Sequence, residues 1–296
     1  MAFVATSPEH LQRAFRVLAD LAPLPTGGAP VVAHLLASPE CLGVPLLSAR
    51  DAAGAPFPAA YTYLDATSAL AVPGLSRLCS EFANTNKACL YLLKPFLYAL
   101  LPRAAEAVLV RAVDLRVLPG GGGLRELLGA GALRALRRSG ALAALARELQ
   151  PTYLRVGMRQ GFNGGVQVLD LRAQRASALY TSFLATFSFA APPAHARFRH
   201  NLDLGDQTLY SILNETHPSA IAELPCGWNL NLCQYWRAQE GGGAWGREAS
   251  LAGCQGGVRL VHGNGQEYQR LGMEGMEQGG LQALVEAQRS QSAAEA

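Results

Sequence analysis

An asparagine and two glycines open an apolar strand in the stretch GFNGGVQVLDL at 161–171. Glycine lacks a Cβ and lets backbone or ligand come close, while Asn163 offers both a donor and an acceptor. Gly164 and Gly165 therefore leave the mouth of the strand accessible to a small polar ligand, although a tight turn into a core strand accounts for the same residues. Asp114 stands near the end of the apolar run AVLVRAVDLRVL at 107–118, where a carboxylate can hold a cation or serve only as a turn or cap residue. His262 lies in VHGN at 261–264, an imidazole in a loop-like segment. A hard divalent cation such as Mn2+ favours a carboxylate together with an imidazole and stabilises charge developing on a leaving group. Asp206 and Gln207 open DQTLYSIL, which also reads as an ordinary helix start with an N-capping aspartate.

The elements that must position these residues are those of an α/β chain. FVAT at 3–6 is a short strand, followed by Ser7 as N-cap, Pro8 in the first turn, and Leu11, Phe15, Leu18 and Leu21 at helical spacing. Strand, tight turn and helix form the unit of a doubly wound sheet. VVAHLLA at 31–37 predicts a second strand, and 49–72, rich in Ala, Pro and Tyr, is poorly patterned. LYLLKPFLYALLP predicts a helix that kinks or starts at Pro95, and 107–118 one buried strand carrying Asp114 near its end. PGGGGLRELLGAG at 119–131 is a flexible turn into a helix; its glycines lack the GxxxxGK pattern of a phosphate cradle. From about Met273 the chain is a polar tail, helical or disordered.

Composition excludes several classes. With 296 residues, half of them hydrophobic, the chain can bury a substantial core. A net charge of +3 from 25 basic and 22 acidic residues does not imply a nucleic-acid partner, despite the local basicity of Arg134 to Arg147. The most apolar run, 88–102, is interrupted by Lys94 and Pro95 and falls short of the ~20 residues of a spanning helix, so no transmembrane segment is expected. MAFVATSPEHLQ is no signal peptide, so either the protein is cytosolic or its targeting segment lies outside this chain. Cysteines at 41, 79, 89, 226, 233 and 254 include no CxxC pair and fit no common zinc module. Those at 226, 233 and 254 suit a local disulfide in an oxidising compartment and equally suit unpaired thiols. The first turn, ATSPEH, lacks GxGxxG, which argues against a nicotinamide-dependent oxidoreductase.

ARELQPTY at 146–153, GFNGGVQVLDL at 161–171, LGDQTLYSIL at 204–213, LPCGWNLNLCQYW at 224–236 and VHGN at 261–264, in that order, resemble a family-8 glycosyltransferase, most closely its xyloside xylosyltransferase branch. The resemblance is carried by the ordered set across 145–264 and fades before residue 80. It implies a GT-A fold, a Rossmann-like mixed sheet flanked by helices, formed by one domain over 1–272. Residues 1–130 would be its nucleotide-binding half and 131–272 its sugar and acceptor half, with 273–296 as the tail. It implies retaining transfer of a sugar, by this branch xylose, from a UDP-sugar to a glycoside hydroxyl of a glycan or glycoprotein acceptor, with Mn2+ on the diphosphate. It implies a place in the secretory pathway, the endoplasmic reticulum or Golgi lumen.

Residue by residue, the resemblance makes Asp114 and His262 metal ligands and Asn163 a sugar-binding amide for whose ring Gly164 and Gly165 leave room. Asp206 would bind donor-sugar hydroxyls, with Gln207 beside the anomeric carbon. Glu148, Lys94 and Gly263 would join the donor site, Lys94 by facing the diphosphate; a surface lysine that snorkels is the alternative. Trp228, Tyr235 and Trp236 offer flat faces to a sugar ring or fill the core. The chain departs from the family pattern at Ala112, where the first aspartate of Asp-x-Asp is expected. If 112 and 114 share one side of a strand, the missing carboxylate weakens the metal site, which gives a second reading: an impaired member that binds a UDP-sugar or glycan without turnover. The branch's cysteines further imply a Cys226–Cys254 disulfide, with Cys233 left over because Gly265 stands where the family has its partner.

Overall fold

The computed structural model describes residues 2–5, 10–11, 14, 32–37, 41, 61–65, 69–81, 86–112, 114–117, 127, 130–148, 157–158, 161–188, 204–231, 258–263 and 286. Short apolar runs at the N-terminus form β1 (Ala2–Ala5), β2 (Ala33–Ala37) and β3 (Tyr61–Asp65), which pair in parallel. β4 (Val108–Arg111) continues this parallel set beside β1. β7 (Phe162–Leu169) runs antiparallel to β4 and to β6 (Ala143–Arg147), and β6 pairs in parallel with β8 (Ile221–Leu224). The resulting seven-stranded sheet has the order β3-β2-β1-β4-β7-β6-β8. Strand order reverses between β1 and β4, so a crevice opens at the carboxyl ends of these strands, the usual binding edge of an open α/β sheet.

The chain 107–118 is not one strand. β4 ends at Arg111, and β5 (Leu115–Val117) belongs to a second sheet of order β5-β10-β9, with β9 at Leu230–Asn231 and β10 at Leu260–His262. The buried Arg111 guanidinium donates to the Leu115 carbonyl at 2.9 Å, which fastens the turn between them and sets Asp114 within it. Sequence alternation gave no sign of this break because both halves of the run are apolar. β3 falls in the poorly patterned segment. The Cys79–Cys89 disulfide had no spacing signature either; it joins α1 (Leu75–Glu81) to α2 (Asn86–Tyr91). Most of the expected first helix lies outside the described residues, although 10, 11 and 14 are helical. The glycines at 120–123 and, except for residue 286, the whole tail at 273–296 also lie outside them.

Apolar groups cover both faces of the large sheet. One face packs Phe162 and Leu169 against α1, a 3-10 turn at Lys94–Phe96, α3 (Leu97–Leu100), α5 (Leu171–Ala176), α6 (Ala178–Thr186) and α7 (Asp206–Thr216). The other packs Val166 and Val168 against Leu11, Leu115, Leu136, Trp228 and Leu260, Leu136 coming from α4 (Ala130–Ser139). Pro95 does start the helical segment, and the buried Tyr180 hydroxyl donates to its carbonyl at 2.9 Å. Arg175 on α5 fastens the end of that segment: its guanidinium donates to the carbonyls of Tyr98, Leu101, Pro102, Arg103 and Ala105 at 2.7 to 3.3 Å. Tyr98 lies in α3 and the other four carbonyls follow it, at the end where the helix itself supplies no donors. Arg175→Met, which keeps the stem and removes every donor, should lower unfolding stability by about 1–3 kcal/mol in urea titration.

Candidate active site

The site gathers where β7 departs from regular pairing with β6. Between the pairs Leu145↔Gln167 and Arg147↔Phe162 the chain takes five steps along β7 and only two along β6. Side-chain direction switches parity across this bulge: even-numbered Phe162 belongs to one face's core, whereas even-numbered Val166 and Val168 belong to the other's. Asn163, Gly164 and Gly165 lie in the bulge, and the two sets of site residues approach it from opposite faces.

On one face, α7 delivers Asp206 and Gln207. A Cβ on Gly164 would stand 2.6 Å from Asp206 Oδ2 and 2.9 Å from Gln207 Cγ. The Gly164 N–H donates to Gln207 Oε1 at 2.7 Å, which fixes that amide's orientation and leaves its Nε2 hydrogens as the remaining donors. Asp206 does not cap its helix; Gly205, at φ +55°, occupies the N-cap. Its carboxylate instead meets the Lys94 ammonium at 3.2 and 3.3 Å and the Gln167 amide. Lys94 is buried rather than snorkelling, also donates to the Gly164 carbonyl at 3.1 Å, and lies 5.3 Å from the centre of the Tyr91 ring. Burial pushes the Asp206 carboxyl up, and the Lys94 ammonium only partly offsets this. The Tyr91 phenol is pushed up too, by burial first and then by Asp114 and Asp206, whose charges disfavour a third anion.

On the other face, the small sheet delivers Asp114, His262 and two asparagines. His262 ends β10, opposite Leu115 on β5 and Asn231 on β9. Its Nε2 lies 3.2 Å from Asp114 Oδ1, and its Nδ1 lies 3.1 Å from Asn163 Oδ1. A proton on Nδ1, donated to Asn163, turns Nε2 toward the carboxylate. Asn163 Oδ1 also accepts from Gly165 N–H at 2.8 Å and Asn229 Nδ2 at 2.7 Å, while its own Nδ2 donates to Glu148 at 2.8 Å. The other Glu148 oxygen accepts from Asn231 Nδ2 at 3.0 Å. A Cβ on Gly165 would fall 2.5 Å from the His262 ring and 2.9 Å from Asn229 Oδ1. Gly263 donates its N–H to the Asp114 carbonyl at 3.0 Å. Burial works to raise the Asp114 carboxyl, but the adjoining imidazole and backbone hydrogen bonding outweigh it and hold it at about 2.

Two expectations change. The space above Gly164 and Gly165 is filled by Asp206, Gln207, His262 and Asn229, so the glycines admit the chain's own side chains rather than a sugar ring. Asn163, 1% exposed, is engaged by four protein groups and ties β7 to the residues of the small sheet. The premise that 112 and 114 share one side of a strand also fails, because β4 ends at Arg111; Ala112 donates its N–H to the Gly165 carbonyl at 2.7 Å and packs against apolar residues. Trp228 is buried under Arg259, 5.1 Å above its ring, whereas Tyr235 and Trp236 lie outside the described residues. Gln167, Tyr91, Asn229 and Asn231 escaped sequence reasoning; Gln167 alone carried a signal, as a polar residue inside an apolar strand.

The donor set of Asp114 and His262 fits a divalent cation. A carboxylate oxygen and an imidazole nitrogen converge, the second nitrogen is anchored, and the carboxyl is ionised at neutral pH, all of which suit a borderline-hard cation. Among the described residues no group of three His, Cys, Asp or Glu forms a metal site, so this pair would leave its remaining positions to diphosphate oxygens and water.

No family model matches the chain. Human xyloside xylosyltransferase 1 is 34% identical over 137 residues, 40% of this chain and 34% of the human protein. The mouse protein is 32% identical over the same span length of 137 residues. This chain is a relative of the xyloside xylosyltransferases. The aligned part spans about a third of the length of these relatives. The solved structure of mouse xyloside xylosyltransferase 1 in its apo form superposes with a TM-score of 0.62 at 21% identity, over 90% of this chain and 98% of that one. The galactosyltransferase LgtC, in complex with donor and acceptor sugar analogues, superposes with a TM-score of 0.55 at 14% identity, over 97% and 96% of the two chains. The fold of this xylosyltransferase relative is GT-A, as its sequence resemblance implied.

The Lys94–Asp206 pair yields a test of the site's electrostatics. Lys94→Met removes the cation that offsets burial, so the Asp206 carboxyl is pushed further up. A carboxyl whose folded value lies above its unfolded value stabilises the fold at low pH and loses that contribution as pH rises through the folded value. Lys94→Met should therefore be near the parent in stability at pH 4 and fall behind it by about 3–5 kcal/mol at pH 8, and adding Asp206→Leu should recover most of the loss. Denaturant unfolding of the parent and both variants at the two pH values measures this.

Proposed function

We propose that the chain is a retaining glycosyltransferase that moves xylose from UDP-xylose to a glycoside hydroxyl. The convergence of Asp114, His262 and Asn163 from one face with Asp206 and Gln207 from the other, at the binding edge of a GT-A sheet, carries this reading. The 34% identity to human xyloside xylosyltransferase 1 over 137 residues supports the donor class.

A divalent cation held by Asp114 and His262 would supply Lewis-acid stabilisation of the leaving diphosphate. Asn163 positions the His262 imidazole through Nδ1 and holds Glu148 at the donor site. Asp206, kept in place by Lys94 and Gln167, accepts hydrogen bonds from donor-sugar hydroxyls. Gln207, oriented by the Gly164 N–H, turns its Nε2 hydrogens to the reacting face. Among the described residues no carboxylate is left unengaged as a nucleophile beside Gln207, which favours front-face attack: the acceptor oxygen bonds to the anomeric carbon as the bond to phosphate breaks, and its proton passes to the departing phosphate oxygen. The acceptor is a glycan, free or on a glycoprotein. Disulfide bonding at Cys79–Cys89 and at Cys226 supports an oxidising compartment such as the endoplasmic reticulum or Golgi lumen. The partner of Cys226 lies outside the described residues, and Cys254 remains our assignment for it.

The two-residue donor set favours a second reading, a member that binds the UDP-sugar or glycan without turnover. UDP release from a panel of UDP-sugars, with and without Mn2+ and a glycoside acceptor, separates the two. The enzyme reading expects manganese-dependent release with UDP-xylose, reduced at least 100-fold by Asp114→Ala, a loss of about 2.7 kcal/mol in transition-state stabilisation. Saturable UDP binding without turnover supports the second reading. Gly165→Ala should abolish release while leaving Asp206 in place, because its Cβ would displace His262.

A further inference from the structure

A second recess lies at the opposite edge of the large sheet. It is an open pocket of about 630 Å³ beside Tyr98, Leu101, Arg103, Glu106, Arg172 and Arg175, within the size range of small-molecule sites. β4 begins at Val108, two residues past Glu106, and carries the chain toward Asp114 over four residues at ~3.3 Å each, so the pocket is on the order of 13 Å from the site described above.

Its charge is one-sided. Arg175 is bonded to five backbone carbonyls, none of which neutralises it. Glu106, the one carboxylate among the lining residues, is taken by Arg137 at 3.1 Å, and Arg137 also binds Asp170 at 2.8 Å. Arg103 and Arg172 are exposed, and among the described residues neither guanidinium has a carboxylate partner. The field is felt by Arg175, whose ordinary value is lowered by burial and then by Arg103. Two guanidinium forks thus face solvent over a rigid, positive floor, a geometry matched by carboxylate, sulfate or phosphate oxygens. The half-buried Tyr98 ring, packed edge-on against Tyr180 at 5.7 Å between centroids, supplies an aromatic wall beside them.

We propose that this pocket is a binding site for an anionic sugar, its ring against Tyr98 and its carboxylate or sulfate on Arg103 and Arg172. It would hold an acidic saccharide at a distance from the transfer site, whichever function that site performs.

Calorimetric titration of the full chain with four probes tests this: a sulfated uronate disaccharide, its unsulfated uronate counterpart, the uncharged disaccharide, and inorganic sulfate. One or both acidic disaccharides should bind saturably, and the two arms tell carboxylate from sulfate as the recognised group. Inorganic sulfate should bind at least tenfold more weakly, and the uncharged disaccharide not measurably. Arg103→Ala/Arg172→Ala, at exposed positions and with an unchanged thermal midpoint, should weaken binding at least tenfold, and UDP should not compete. Absence of saturable binding, binding that survives the double variant, or displacement by UDP would overturn the proposal. Equal affinity for inorganic sulfate would overturn the saccharide assignment. None of these readouts depends on transferase activity.

Discussion

The site depends on one close approach: two adjacent residues of β7 that lack a Cβ, so that side chains from both faces of the sheet can touch its backbone. A Cβ at Gly164 would take the place of Asp206 Oδ2, and one at Gly165 the place of the His262 ring. Regular alternation alone would point these neighbours to opposite faces; the bulge, with five steps on β7 against two on β6, additionally frees the strand from its partner where the contacts are made. Close packing of functional groups against a strand is therefore bought with an interruption of the ladder.

Asn163 then couples the large sheet to the small one. Its carbonyl oxygen takes hydrogen bonds from the Gly165 backbone, Asn229 and His262, and the backbone donor fixes which end of the amide is oxygen. The network is not closed, since Asn229 Oδ1 and Asn231 Oδ1 are buried without a hydrogen-bond partner among the described residues, and a partly satisfied buried network carries a cost in stability. His262 and Asn229 come from the small sheet, whose register on β5 and β9 is set far along the chain from Asn163. The small sheet thus has a clear purpose in the architecture: it carries donors to a bulge in the large one.

How much of this was legible in sequence follows from what was local. Short apolar strands, Pro95 as a helix start, the helix from Asp206 and the ordered motifs all announced themselves through periodicity or resemblance. The turn at Asp114 did not, because Arg111, which fastens it, reads as a polar interruption of a strand, and its partner carbonyl is invisible to pattern. The Cys79–Cys89 bridge was hidden for the same reason: its geometry comes from two short helices meeting, not from spacing. The glycines were recognised as openings, but what fills an opening is a tertiary fact. Lys94 shows the limit most sharply, since the same residue in an apolar run can snorkel outward or turn inward, and only the position of Asp206 decides.

The two aspartates illustrate how environment separates residues of one type. Asp114 faces an imidazole and a backbone hydrogen bond and is held at about 2, so it stays anionic near neutral pH. Asp206 is more deeply enclosed, and burial lifts it despite a neighbouring ammonium. An anion that resists protonation suits a cation, whose binding requires a deprotonated ligand. A carboxylate already tied to Lys94 and Gln167 suits neutral hydroxyls, which it can accept without a further change of charge in a dry site. Pairs of titratable groups pushed in opposite directions by their surroundings are a signature of divided chemical labour. Here the division follows the sheet: the charged, cation-suited pair lies on the face reached by the small sheet, and the hydroxyl-suited pair on the face reached by α7.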